Sequence, residues 1–253
     1  MEKTEKLSHA ITELDNLMDY YEAVLRKRFP FTPKNRDFSS VARTLAAPAP
    51  EPEVEETPQE DFSGLDMKRL QFAVQNCTRC QLCKTRTNTV FGEGCTYKPL
   101  VMVIGEGPGE KEDLSGRPFV GPAGEFLDKW LAAIGLSRDT NTYIANIVKC
   151  RPPQNRDPMD EEKDACKAFL YQQIALVMPK AILCVGKPAS MLMTGKTDAT
   201  MASLRQKLFL YDYSIPMICT YHPAAVLRNL EWKAPVWEDL KKLRSIIFPP
   251  VRG

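Results

Sequence analysis

At 253 residues, with 43 % hydrophobic and 26 % charged side chains, the chain suits one good-sized domain plus extras. No stretch approaches the roughly 18 apolar residues of a membrane span, and Met-Glu-Lys-Thr-Glu-Lys at the start lacks a signal peptide's apolar core, so a soluble, cytoplasmic protein without membrane association is expected. The net charge of +2 conceals an asymmetry: residues 1–62 carry 8 basic and 13 acidic side chains, which leaves the remainder at +7 and fits a polyanion partner such as nucleic acid.

Residues 4–28 read as a helix, because Leu7, Ile11, Leu14, Met18, Tyr21 and Leu25 alternate four and three apart. An amphipathic helix docked on its own domain or on a protein partner is the preferred reading; a coiled coil, and hence self-association, is the other. Residues 29–62 form a linker, since the run Ala46-Ala-Pro-Ala-Pro-Glu-Pro-Glu53 and the acidic stretch after it bury too little apolar surface to order themselves. Residues 63–253 then form the folded domain. Its pattern predicts helices over 65–76, 123–134, 160–178, 187–193 and 232–247, and strands over 100–104, 142–148, 181–185 and 215–220. Strands alternating with helices specify an α/β fold, a three-layer α/β/α arrangement with a central, mostly parallel sheet.

The apolar run Leu100-Val-Met-Val-Ile104 delivers Gly105-Glu-Gly-Pro-Gly-Glu-Lys-Glu-Asp113 to the carboxyl edge of that sheet, where open α/β folds bind ligands. The loop lacks the Gly-Lys-Ser/Thr ending of a P-loop, and its acids would repel a pyrophosphate. Glu106, Glu110, Glu112 and Asp113 crowd carboxylates together, which is costly unless some do chemistry or pair with Arg117.

Eight cysteines in such a chain argue for metal or redox use. Cys77 and Cys80 form a Cys-x-x-Cys, Cys83 follows, Cys150 ends a strand and Cys166 lies in the next helix. Cys77, Cys80, Cys150 and Cys166 suit a four-thiolate site for zinc or an iron–sulfur cluster; the plainer alternative leaves Cys150 and Cys166 as core thiols. Cys95, Cys184 and Cys219 read as small hydrophobes.

The stretches Cys77-x-x-Cys80, Val90-Phe-Gly-Glu-Gly94, Gly105 to Asp113, Gly116-Arg-Pro-Phe-Val-Gly121, Ala145-Asn-Ile-Val-Lys-Cys-Arg-Pro-Pro-Gln-Asn-Arg156, Cys166 and His222-Pro-Ala-Ala-Val-Leu-Arg-Asn229 follow one another over about residues 70–230. In that order they resemble the family 4 uracil-DNA glycosylases, the iron–sulfur branch of their superfamily. The resemblance implies a [4Fe–4S] cluster on Cys77, Cys80, Cys150 and Cys166, uracil-containing DNA as substrate, and hydrolysis of the N-glycosidic bond in base excision repair.

Such chemistry flips the nucleotide from the duplex, reads and stacks on the base, stabilises the leaving anion and places a water at C1′. The resemblance implies Phe119 for stacking, Glu106 for the water with Glu112 as second choice, and Gly107 for close backbone approach. The Asn146 amide both donates and accepts, which matches the O4 and N3–H edge of uracil. A neutral His222 would donate to uracil O2. Val226, Leu227 and Arg228 resemble the segment that wedges into the duplex. Lys149, Arg151 and Arg156 are candidates for phosphate contacts. A covalent uracil-trapping relative would need a further histidine between Cys150 and Cys166, where there is none. A non-catalytic, polymerase-associated iron–sulfur module would need a decayed loop.

Overall fold

The computed structural model describes Phe62 and residues 64–249, all within the compact unit Gln59–Gly253. The expected N-terminal helix and nearly all of the linker lie outside the described residues.

The described chain opens with α1 (Met67–Gln75), capped by the Asp66 carboxylate, which accepts from the Arg69 amide at 2.8 Å. A 3₁₀ turn (Gln81–Lys84) and a two-residue strand, β1 (Glu93–Gly94), follow. Then come β2 (Val101–Gly105), α2 (Glu110–Ser115), α3 (Pro122–Ala133) and β3 (Thr142–Asn146). The second half holds α4 (Asp160–Val177), β4 (Ala181–Val185), α5 (Lys187–Thr194) and α6 (Met201–Arg205). It ends with β5 (Phe209–Tyr211), β6 (Ile215–Thr220), α7 (Pro223–Arg228) and α8 (Lys233–Ile247).

The strands form one six-stranded sheet in the order β1-β3-β2-β4-β6-β5. The four central strands run parallel, and the short edge strands β1 and β5 are antiparallel to their neighbours. Alternate residues of β2 enter two separate cores. Met102 and Ile104 pack with Leu70 and Val74 of α1 and Phe169, Leu170 and Ile174 of α4. Val101 and Val103 pack with Leu127 and Leu131 of α3 and Leu240 and Leu243 of α8. Every residue of β2, β3 and β4 is buried, as strands covered on both faces must be, so they read as continuous apolar runs. This is the three-layer α/β/α architecture expected from the sequence. Among the described residues no helix is long and apolar enough to cross a membrane.

Cys184 and Cys219 face each other in register on β4 and β6, buried as small hydrophobes. Cys95 departs from that expectation: it stays half-buried in a turn, its Sγ 3.4 Å from the Tyr97 carbonyl. The register that pairs Gly105 with Asn146 sets the ends of β2 and β3 side by side, and the cleft opens there.

Candidate active site

The cleft at the carboxyl ends of β2, β3 and β6 has a volume of about 400 Å³. Glu106, Gly107, Glu112, Phe119, Asn146 and His222, singled out on separate stretches of sequence, all line it. Asn146 closes β3 and is almost wholly buried, yet its Oδ1 meets no hydrogen-bond partner. Glu106, one residue past β2, likewise has a buried and unpartnered Oε1. Unsatisfied buried oxygens are rare because each costs about 1–3 kcal/mol. Two in one cleft mark where a ligand's donors, or a water's, belong.

Burial, and then the charge of Asp157, push the Glu106 carboxyl up to about 7, against a smaller lowering by Lys163. Its neighbour Asp157 lines the same cleft and was missed by the sequence reading, in which an acid before Pro158 looks like a turn residue. Glu112 serves the loop itself. Its Oε1 accepts from the amides of Val120 at 3.0 Å and Gly121 at 3.2 Å, and its Oε2 from Gly109 at 3.2 Å. A carboxylate held by three backbone donors is a clamp rather than a free base, so its candidacy as the second water-activating acid is not supported. The expected pairing of loop acids with Arg117 is also corrected: Arg117 takes both oxygens of Glu93, at 2.7 and 3.0 Å. Asp113 is buried and accepts from the Thr87 and Asn88 amides.

His222 caps α7, its Nδ1 accepting from the Ala224 amide at 3.2 Å. Burial, then repulsion by Arg228, pulls its pKa down to about 4, so the ring is neutral near pH 7 and carries its proton on Nε2. The Phe119 ring stands 5.6 Å from the His222 ring, inclined by 29°. Phe119 itself adopts φ 53°, an uncommon conformation for an aromatic residue. Arg138, which carries no motif that would single it out in the sequence, holds it there: the guanidinium donates to the Phe119 carbonyl at 2.9 Å and the Pro118 carbonyl at 3.0 Å. The same guanidinium pairs with Glu93 and Asp128. Only glycine fits at 105 and 124, where a Cβ would collide with Asn146 Oδ1 and with the Phe119 carbonyl respectively.

The basic and wedge candidates divide. Leu227 and Arg228 are exposed, and Arg228 lines the cleft, but Val226 is fully buried in the core and cannot enter DNA. Arg156 lines the cleft while gripping Glu162 through two bonds, at 2.8 and 2.6 Å. Arg151 donates to Asn155 Oδ1 at 2.7 Å. Lys149 is buried at 1 % exposure, which corrects its reading as a phosphate contact; burial pulls its ammonium down to about 8.

A second, tight cavity of about 10 Å³ is lined by Cys77, Cys80, Cys150 and Cys166, with Cys83 on its wall. Burial raises the Cys150 thiol to about 11 and Cys166 to about 12, although Arg86 and Lys149 respectively pull them the other way. Donors aimed at sulfur are already in place: Arg86 Nη1 lies 3.2 Å from Cys150 Sγ, and the Lys149 amide 3.3 Å from Cys166 Sγ. Arg79 also lines the cavity, with Nη1 buried and unpartnered and its guanidinium over the Phe62 and Phe169 rings. Thiols with waiting cationic donors suit a group that arrives with excess negative charge once thiolate-bound.

A family model described as the uracil DNA glycosylase superfamily matches residues 91–241. The chain is 40 % identical over 193 residues to the type-4 uracil-DNA glycosylase of Sulfurisphaera tokodaii, a span covering 74 % of this chain and 87 % of that protein. It is 41 % identical over 181 residues to the type-4 enzyme of Saccharolobus solfataricus, covering 69 % and 83 % of the two chains. With the type-4 enzyme of Thermotoga maritima it shares 40 % identity over 183 residues, covering 72 % and 94 %.

Proposed function

The chain belongs to the uracil-DNA glycosylase superfamily, within it to the type-4 enzymes, and from this we infer that it excises uracil from DNA in base excision repair. The observation that carries the residue assignment is the pair of orphaned oxygens, Asn146 Oδ1 and Glu106 Oε1, facing one cleft.

The flipped uracil stacks on Phe119. Asn146 Oδ1 accepts from uracil N3–H while its amide nitrogen donates to O4. Cytosine presents the reversed pattern and would leave these buried groups unpaired. His222 donates through Nε2–H to O2, where negative charge grows as the bond from N1 to C1′ breaks. Its neutral state matters, because the imidazole donates without giving up its proton. Glu106 in its ionised form orients a water toward C1′ and takes the water's proton as oxygen bonds to carbon; the uracil anion is protonated on release. Leu227 fills the vacated stack, and Arg228 answers the phosphates.

Cys77, Cys80, Cys150 and Cys166 would hold a [4Fe–4S] cluster, supported by the cavity they line and the donors aimed at Cys150 and Cys166. When bound it contributes cross-linking rather than electron transfer, fastening the segment before β1 to α4.

Purified protein incubated with uracil-containing DNA and then alkali is expected to cut the strand at uracil and leave matched thymine-containing DNA intact. Equal scission of both, or none, would overturn the assignment. The preparation should be brown, absorbing on the order of 400 nm as thiolate-bound iron–sulfur clusters do; a colourless, zinc-containing protein prepared anaerobically would refute the cluster.

A further inference from the structure

The strand that delivers His222 is fixed at its end by side chains that stand outside the cleft. Thr220 closes β6, two residues before His222, and its hydroxyl donates to the buried Asp239 carboxylate of α8 at 2.7 Å. The same oxygen, Oδ2, accepts from Nε of Arg205, the last residue of α6, at 2.6 Å, and Arg205 Nη2 donates to the Pro235 carbonyl. The Arg205 guanidinium also lies over the Tyr221 ring, 4.8 Å from its centroid. Tyr221 is stacked in turn with Trp232, in the turn before α8, with ring centroids 4.5 Å apart and planes inclined by 10°. On the main chain, the Gly186 amide donates to the Thr220 carbonyl at 2.9 Å. Gly186 stands so close to His222 that an added Cβ would lie 3.2 Å from the histidine Cβ.

Three side chains from elsewhere in the chain, Arg205, Asp239 and Trp232, thus converge on Thr220-Tyr221-His222, and none of the three lines the cleft. Against well-packed apolar side chains a buried ion pair gains little net stability, because desolvation offsets the attraction. A guanidinium's planar fork does fix direction, and here it fixes the backbone that carries His222.

We propose that Arg205 is a positioning residue for the departure of the base. With Asp239 and Tyr221 it holds the Thr220–His222 junction, and so aims the imidazole at uracil O2. The inference rests on His222 stabilising the leaving uracil anion, as proposed above. A merely structural ion pair would act on stability and would slow the excision of every base alike.

The test uses single-stranded DNA carrying either one uracil or one 5-fluorouracil, with excision followed in a single turnover. Fluorine makes N1 of the base more acidic, so the 5-fluorouracil anion departs with less help from a hydrogen-bond donor. His222→Ala should therefore slow uracil excision more than 5-fluorouracil excision. Arg205→Met, which keeps the length without charge or donors, should do the same. Its expected loss on uracil is roughly tenfold or more, the scale of one misdirected hydrogen bond to a charged group. Added to His222→Ala it should cost no further rate, because the group it aims is gone. Unchanged rates, equal slowing of both bases, or a full further loss on top of His222→Ala overturns the inference. If Arg205→Met does not fold, Trp232→Leu, which removes the stacking partner of Tyr221, decides by the same two comparisons. A His222→Ala variant that slows both bases equally overturns the role of His222 and the inference with it. An unaltered protein that excises neither base overturns the assigned function instead, a distinct outcome.

Discussion

Glu106 is poised where a general base operates best, with burial and Asp157 together setting its carboxyl near neutrality. Activity should therefore rise with pH as Glu106 loses its proton, through a limb centred near 7. Asp157→Asn removes a repelling charge, lowers the Glu106 pKa and should shift that limb toward acid; a limb that stays in place refutes the pairing. Glu106→Gln should lower kcat by roughly 10²–10⁴-fold, the usual yield of a positioned base, with affinity for a non-hydrolysable uracil strand retained. Asn146→Asp places an oxygen where cytosine's amino group can donate, so slow cytosine excision is expected; complete refusal of cytosine would contradict the edge-reading role. The residue types at these positions were legible in the sequence, but their division of labour was not. Glu112 was set aside from base duty by Val120 and Gly121, and Arg117 was claimed by Glu93 across 24 positions.

At the scale of elements, the long buried strands and helices were legible because each carries its period over many residues. The short elements were not: β1 and β5 are two and three residues long, and α2 hides inside a glycine-rich loop. One turn of helix needs little propensity when Gly109 caps it, Glu112 closes the turn and Gly116 ends it at φ 72°. The turn before α3 carries the stacking wall, and Arg138 is its clasp. Arg138→Met leaves two carbonyls and two carboxylates without their shared donor. It should cost about 2–4 kcal/mol of stability by denaturant titration and raise KM for uracil strands; an unchanged KM would mean that Phe119 holds its place unaided. In α7 the helical period turns Val226 inward and Leu227 outward, which the run of apolar letters alone could not disclose. Leu227→Ala should slow excision from duplex DNA more than from single strands, since only the duplex has a stack to refill. Equal slowing on both would remove it from the wedge.

For the whole molecule, the three orphaned buried side-chain atoms among the described residues, on Glu106, Asn146 and Arg79, all stand at the cleft or the cysteine cavity. The sequence pointed to both places through ordered motifs, while Asp157, Arg138 and Arg79 emerged only from packing. The cysteine cavity also has a consequence for how long the protein lasts. Cys77 and Cys80 belong to the leading segment, Cys150 to the loop after β3 and Cys166 to α4. Besides any metal bridge, that segment is held by Phe62, Leu70, Val74 and Leu82 in the core, by the Phe62–Phe169 stack, and by the Gln172 contact to the Leu65 carbonyl and the Arg86 contact to Cys150. A cross-link added to such a segment raises the free energy of its local opening, the step that exposes it to proteases. Given the proposed cluster, trypsin should nick metal-stripped protein around Arg79 and Lys84 sooner than the loaded form, so that loading would lengthen the lifetime of the protein.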